Sequence, residues 1–336
     1  METNDTLGRR RFLQAAVGIA AGSALYADGA ATPASKLPAR PLGNTGLKLP
    51  ILGFGGAALP KAWHNPLSYP DRVKLVRHAY NHGVRYFDTA GNYLESEDIL
   101  GDALKDIRDQ SFLVTKVETT NPAEVRRAVE RSLKKLKTSY LDAILIHGTP
   151  GIQQMSVKRA MEVHGELTKL RDEGITRFIG LSAHGYFEKA LALIDSGGFD
   201  LCMMAYGYIP RGHDQIWSAR QITLREACLA RAHALGMGIV AMKVIGAGML
   251  GAWAGHLVKG FDRERIKQLP AAAIRYVLQD PRVHMLTIGM RLPREIDANV
   301  EILNQPAEYT SKDRALLSGF SAELYGTAAI KRLKVE

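Results

Sequence analysis

The chain has 336 residues, 46% of them hydrophobic and 23% charged, which is apolar enough for one large core and excludes wholesale disorder. Its net charge of +10 is diffuse, with no dense Lys/Arg block, RNA-binding signature or zinc-finger spacing, so nucleic acid is not expected as a partner. A diffuse positive balance suits an anionic small ligand such as a nucleotide, or a plain basic surface.

The first segment in chain order is Gly8-Arg9-Arg10-Arg11-Phe12-Leu13-Gln14, followed by a small-residue apolar stretch from Ala15 to Ala27. Charged, hydrophobic and small-residue zones in that order read as an export signal over residues 1–31. It resembles the twin-arginine type, with Gly8 and Gln14 departing from the usual pattern. That resemblance implies the twin-arginine (Tat) export machinery as a partner and a periplasmic or otherwise exported location. The stretch is too short and too rich in Ala and Gly for a stable membrane span. Residues 32–39 read as a Pro/Ala/Ser tether, leaving 40–336 as the folded domain.

Leu42-Gly43-Asn44-Thr45-Gly46-Leu47-Lys48-Leu49 predicts two short strands around an Asn/Gly turn. Short apolar, β-branched runs then alternate with helical patterns. Strands are expected at 51–55, 84–88, 112–116, 143–147, 177–182, 201–205, 238–242 and 284–288. Helices are expected at 71–82, 96–105, 121–137, 157–173, 187–195, 223–235, 270–278 and 294–303, with an extra one at 312–323. The α/β pattern predicts a (β/α)8 TIM barrel with an N-terminal β-hairpin and an extra C-terminal helix. A doubly wound sheet is disfavoured because no GxGxxG follows the first strand. Cys202 and Cys228 form no CxxC or Cys/His cluster, so two buried thiols are expected, with no metal or iron–sulfur centre.

Three of the runs end on ionisable residues: Asp88, Lys116 and His147. Parallel barrel strands deliver their C-terminal residues to one face, where barrel enzymes do their chemistry. Phe87-Asp88-Thr89-Ala90-Gly91-Asn92-Tyr93, with Ser96-Glu97 and Leu100-Gly101, resembles the signature of the aldo-keto reductases. The similarity runs from Leu42 to Asn299, and Asp88, Tyr93, Lys116 and His147 match the family's catalytic tetrad. It implies an NADP(H)-dependent oxidoreductase that reduces an aldehyde or ketone, including sugar-derived ones, or oxidises the matching alcohol. The chemistry agrees. A free phenol has a pKa of about 10, and a neighbouring Lys116 cation would lower it. Asp88 would hold Lys116 in place, while His147 would donate to the substrate oxygen and orient it.

The resemblance also implies cofactor contacts. Ser182 stands where the family begins a Ser-Asn pair for the nicotinamide carboxamide, but Ala183 replaces the Asn. Met203 replaces a Gln, and Met242 stands where an aromatic ring often stacks. A thioether packs on a ring yet cannot replace an amide's hydrogen bonds, so this pocket reads as remodelled. Lys243 and the loop containing Gly246, Gly248 and Leu250 suit the pyrophosphate. Gly289 and Arg291 resemble the adenosine 2′-phosphate site, and Asn299 an adenine contact, favouring NADP over NAD. Trp63, Trp217 and Trp253 lie in loops after the first, sixth and seventh barrel strands and could wall a substrate pocket. Gly148, where many relatives carry Trp, suggests a more open pocket, and His184 reads as a surface histidine. Two alternatives remain: a non-catalytic nucleotide-binding or sensing protein on the same barrel, and a Schiff-base lyase or aldolase using Lys116.

Overall fold

Residues 37–213 and 215–335 are described in a computed structural model of the chain. The expected export segment, 1–31, lies outside them. Ala39–Pro41 (β1) and Lys48–Pro50 (β2) form the predicted antiparallel hairpin. Its turn seats against the N-terminal end of the barrel. There Asn44 N donates to Gly236 O at 2.7 Å, and a Cβ on Gly43 would come within 2.4 Å of Gly238 N. Within the expected tether Leu37 is buried, and just beyond it Arg40 donates to Val283 O at 2.7 Å. Long-range packing, which composition does not show, holds both residues against the barrel.

The barrel strands are Leu52–Gly55 (β3), Tyr86–Asp88 (β4), Phe112–Val117 (β5), Leu141–Ile146 (β6), Thr176–Ala183 (β7) and Leu201–Ala205 (β8). After a short strand at Gln215–Ile216 (β9), the set is completed by Gly238–Met242 (β10) and Met285–Ile288 (β11). They close as β3-β4-β5-β6-β7-β8-β10-β11, with β11 returning to β3 in parallel. Every residue of β5 and β6 is buried, because helices cover one face and the barrel core fills the other. Asp142, inside β6, is fully partnered: it accepts from Leu113 N at 2.9 Å and pairs with Arg108 at 2.8 Å and Arg177 at 3.0 Å.

Side-chain caps set the helix starts. Ser68, Ser156 and Ser218 accept from the N–H groups of Asp71, Arg159 and Gln221, opening helices Tyr69–Asn81, Val157–Asp172 and Ala219–Ala234. The last of these begins ahead of the expected 223 because Ser218 supplies its cap. The helix expected from 270 runs over Arg263–Leu278, capped by Asp262, so Pro270 sits inside it rather than in its first turn. The extra helix spans Ser311–Tyr325 behind a Thr310/Asp313 capping box. It packs on Arg263–Leu278 in a second apolar cluster that includes Leu250, Phe261, Leu269, Leu317 and Phe320. β9 pairs with Lys334–Val335 (β12), an element without a sequence signal. Cys202 and Cys228 are free and buried, as expected. Among the described residues, no helix is long and apolar enough to cross a membrane.

Candidate active site

Asp88 ends β4, Lys116 lies near the end of β5 and His147 follows β6, so three neighbouring strands bring an acid, an amine and an imidazole to the C-terminal face. Tyr93 reaches the same place from the loop after β4, where its N–H donates to Ala90 O at 3.0 Å. Lys116 Nζ is 2.5 Å from Asp88 Oδ1 and donates to Thr89 O at 2.7 Å. It also lies 4.9 Å from the Tyr93 ring centroid, and the Tyr93 and His147 rings meet edge-on at 5.7 Å. The four expected catalytic side chains are therefore gathered in one place.

Burial opposes the Lys116 charge, but Asp88 and Tyr93 outweigh it and hold the ammonium above its ordinary value. Burial also lifts the Asp88 carboxyl, against the pull of Lys116. Tyr93 differs from the simple expectation. Desolvation pushes its phenol upward and outweighs the lowering effect of Lys116, so the half-buried phenol keeps its proton. His147 is pushed down by burial, with Glu118 opposing.

Glu118 is a site residue that the sequence reasoning passed over. Its Oε1 lies 3.4 Å from His147 Nδ1, an electrostatic contact without hydrogen-bond alignment, and Asn92 N donates to the same oxygen at 3.3 Å. An acid two positions beyond Lys116, just past the strand end, was the available signal. His184 requires a correction. It is no surface histidine: its Nδ1 is 2.7 Å from Lys243 Nζ, and its ring lies 6.2 Å from that of His147. Burial and then the Lys243 charge push His184 well below its usual range, so neutral His184 accepts from Lys243. Burial, with Arg211 adding to it, pushes Lys243 down to about 7.

The expected nicotinamide contacts are as apolar as their residue types suggest. Met203 and Met242 are buried on β8 and β10, and Ser182 Oγ already accepts from Gly148 N at 2.8 Å. Gly148 has a packing reason of its own. A Cβ there would come within 2.6 Å of Ser182 O, so close strand packing requires glycine. In the small-residue loop, the N–H groups of Gly246, Gly248 and Leu250 donate to Lys243 O, Ile245 O and Ile245 O. Those amides are engaged within the loop, and Leu250 is buried in the second cluster, so in this conformation they do not point free donors at a phosphate. Gly289 and Arg291 precede the Pro293–Leu303 helix, and Asn299 is buried on that helix.

The three tryptophans separate. Trp63, 37% exposed, packs edge-on to Tyr93 at 5.4 Å. Trp253, 38% exposed, meets His64 at 6.2 Å and lies under the Arg291 guanidinium at 5.8 Å. Together they form an aromatic rim between the phenol and Arg291. Trp217 is only 4% exposed, wedged against Phe187 at 5.0 Å and under Arg225, so it anchors its loop instead of walling a pocket.

The aldo/keto reductase family model matches residues 51–318. The L-galactose dehydrogenase of Arabidopsis thaliana is 26% identical over 318 residues, covering 86% of this chain and 95% of the relative. Aldo-keto reductase family 1 member C21 of Mus musculus is 27% identical over 322 residues, covering 85% and 93%. Two solved structures share the fold at 20% identity. The holo form of an aldo-keto reductase from Bacillus halodurans has a TM-score of 0.68, covering 84% of this chain and 96% of that one. An aldo-keto reductase from Klebsiella pneumoniae in complex with NADPH has a TM-score of 0.64, covering 85% and 95%. A family match of that extent, on a barrel of this topology, places the chain in the aldo/keto reductase family of oxidoreductases.

Proposed function

We propose that the protein uses NADP(H) to reduce an aldehyde or ketone, or to oxidise the matching alcohol, with Tyr93 as proton donor and acceptor. The observation that carries this reading is the Tyr93 phenol beside the buried Lys116–Asp88 pair at the barrel mouth. During reduction the Tyr93 hydroxyl passes its proton to the substrate oxygen, and Lys116 stabilises the phenolate left behind. Asp88 fixes the Lys116 ammonium, and His147 presents its other ring nitrogen, Nε2, to the substrate oxygen. Bound NADP(H) would supply or accept the hydride. Lys243 suits its phosphates: it is a half-buried cation whose hydrogen-bond partner is neutral His184, and an anion there would offset its desolvation. Arg291, against Trp253, would serve the 2′-phosphate and supports NADP(H) over NAD(H).

The aromatic rim of Trp63 and Trp253, and the likeness to an L-galactose dehydrogenase, support a sugar-derived substrate. Lys116 is a poor candidate for Schiff-base chemistry, because its side chain is 1% exposed and its ammonium is held protonated by Asp88. The deciding test is Tyr93→Phe assayed against aldose and aldehyde panels. Turnover should fall about 10²–10⁴-fold while nucleotide affinity stays within about twofold. Unchanged turnover sinks the proton-donor role, and a binding-only protein would show no turnover in the parent either. The export reading is supported by residues 1–31 alone; replacing Arg9 and Arg10 by Lys should retain the chain in the cytoplasm.

A further inference from the structure

Away from the barrel mouth, the helices flanking β3 and β11 meet at three donor side chains that the reductase chemistry does not use. His78 and His82 lie four positions apart at the end of the Tyr69–Asn81 helix, so their rings share one face, with centroids 4.1 Å apart. Asp297, on the Pro293–Leu303 helix, faces both. Its Oδ1 is 2.6 Å from His78 Nε2 and 3.5 Å from His82 Nε2. One ligand atom from each of the three residues lies within 4.8 Å of the others.

The protonation pattern makes this more than a proximity. His82 Nδ1 is 2.8 Å from His78 O, and because a carbonyl only accepts, Nδ1 must carry the proton. In the neutral ring Nε2 is then a lone pair facing the Asp297 carboxylate oxygen at 3.5 Å. Two acceptors then face one another, a pairing that either a proton on Nε2 or a metal cation between them satisfies. The backbone carbonyl also serves as the outer partner that metal-bound imidazoles usually have, fixing tautomer and ring orientation.

We propose that His78, His82 and Asp297 bind one divalent transition-metal ion of the zinc class, with water completing its coordination. Two imidazoles and one carboxylate are a recurrent zinc ligand set, with metal–ligand bonds of about 2.0–2.2 Å. Tetrahedral bonds of that length separate ligands by about 3.3 Å. The His82–Asp297 spacing is already close to this, and a small rotation of the exposed carboxylate opens the shorter His78 contact to it. Nitrogen donors select zinc, nickel or copper over magnesium and calcium. The side chains of His78, His82 and Asp297 are 32%, 38% and 52% exposed, so an ion reaches them without opening the fold. Bound there, it ties the helix after β3 to the helix after β11, across the seam where those strands close the barrel.

The test is zinc titration of the untagged protein by calorimetry, with a thermal melt alongside. The expected result is one ion per chain at micromolar affinity, and a Tm about 4 °C higher at a hundredfold excess over Kd. His78→Ala and Asp297→Ala should each weaken binding at least tenfold, and His78→Ala with His82→Ala should abolish it. Melts of the metal-free variants establish that each is folded. Magnesium should neither bind nor shift the melt. The proposal is overturned if the parent binds zinc no better than the double variant, or if zinc bound by the parent survives that substitution. Either result would leave His78 and Asp297 as a simple hydrogen-bonded pair.

Discussion

Lys116→Met removes an ammonium with a side chain only 1% exposed and leaves the Asp88 carboxylate facing a thioether. Breaking a buried ion pair from one side costs about 3–5 kcal/mol, because the remaining charge is desolvated without a partner. For a domain of roughly 300 residues this corresponds to a fall in Tm of about 5–8 °C. The loss should depend on pH. Burial already raises the Asp88 carboxyl, and without Lys116 it rises further. A group whose folded pKa is raised contributes its full stability below the unfolded value, about 3.9, and loses it as pH rises through the folded one. The variant should therefore be most impaired near pH 8 and approach the parent toward pH 5. Adding Asp88→Asn removes the stranded charge and should restore much of the loss at pH 8, although turnover stays low in both variants. Urea unfolding followed by circular dichroism at the two pH values measures this. A pH-independent penalty, or a double variant as unstable as the sum of the singles, would refute the buried-charge account.

Lys243, held at about 7, predicts a bend in nucleotide affinity. NADP+ binding should be flat below pH 7 and weaken above it, approaching tenfold per unit, because binding then takes up a proton. Lys243→Met should bind more weakly at pH 6 and show no bend, and a parent profile without one removes Lys243 from the phosphate site. Gly148→Ala pushes a Cβ to within 2.6 Å of Ser182 O and should cost about 1–3 kcal/mol in urea unfolding; a neutral effect would show that the β6 and β7 exits have slack. Trp217→Ala should cost about 3–5 kcal/mol with KM for the substrate unchanged. A raised KM at full stability would return Trp217 to the substrate wall.

The barrel was legible because strands buried on both faces read as mostly apolar runs, as β5 and β6 do despite Lys116 and Asp142. Asp88, Lys116 and His147 were legible because each sits at or near a strand end. Long-range encounters were not. Nothing local to His184 shows that Lys243, 59 positions on, will stand at 2.7 Å. The same holds for Asp297, 219 positions from His78. A search for CxxC and Cys/His clusters does not reach that group, although His78 and His82 have the spacing of a helical chelate. The upward shift of Tyr93 was hidden for a related reason: it depends on how far the surrounding barrel mouth desolvates the phenol, which neighbouring residues in sequence do not state. Pro270 misled differently, because proline favours a helix start yet is tolerated inside a helix that Asp262 has already capped.

β9 interrupts the chain between two barrel strands, but its partner β12 is synthesised far later. The second apolar cluster is built the same way, joining Leu250 and Phe261 to Leu317 and Phe320. A nascent chain can thus lay down all eight barrel strands while the loops after β8 and β10 still lack the surfaces they rest on. The segment from Ser311 to Val335 supplies those surfaces, and a product clipped ahead of it would leave both loops without the contacts they rest on.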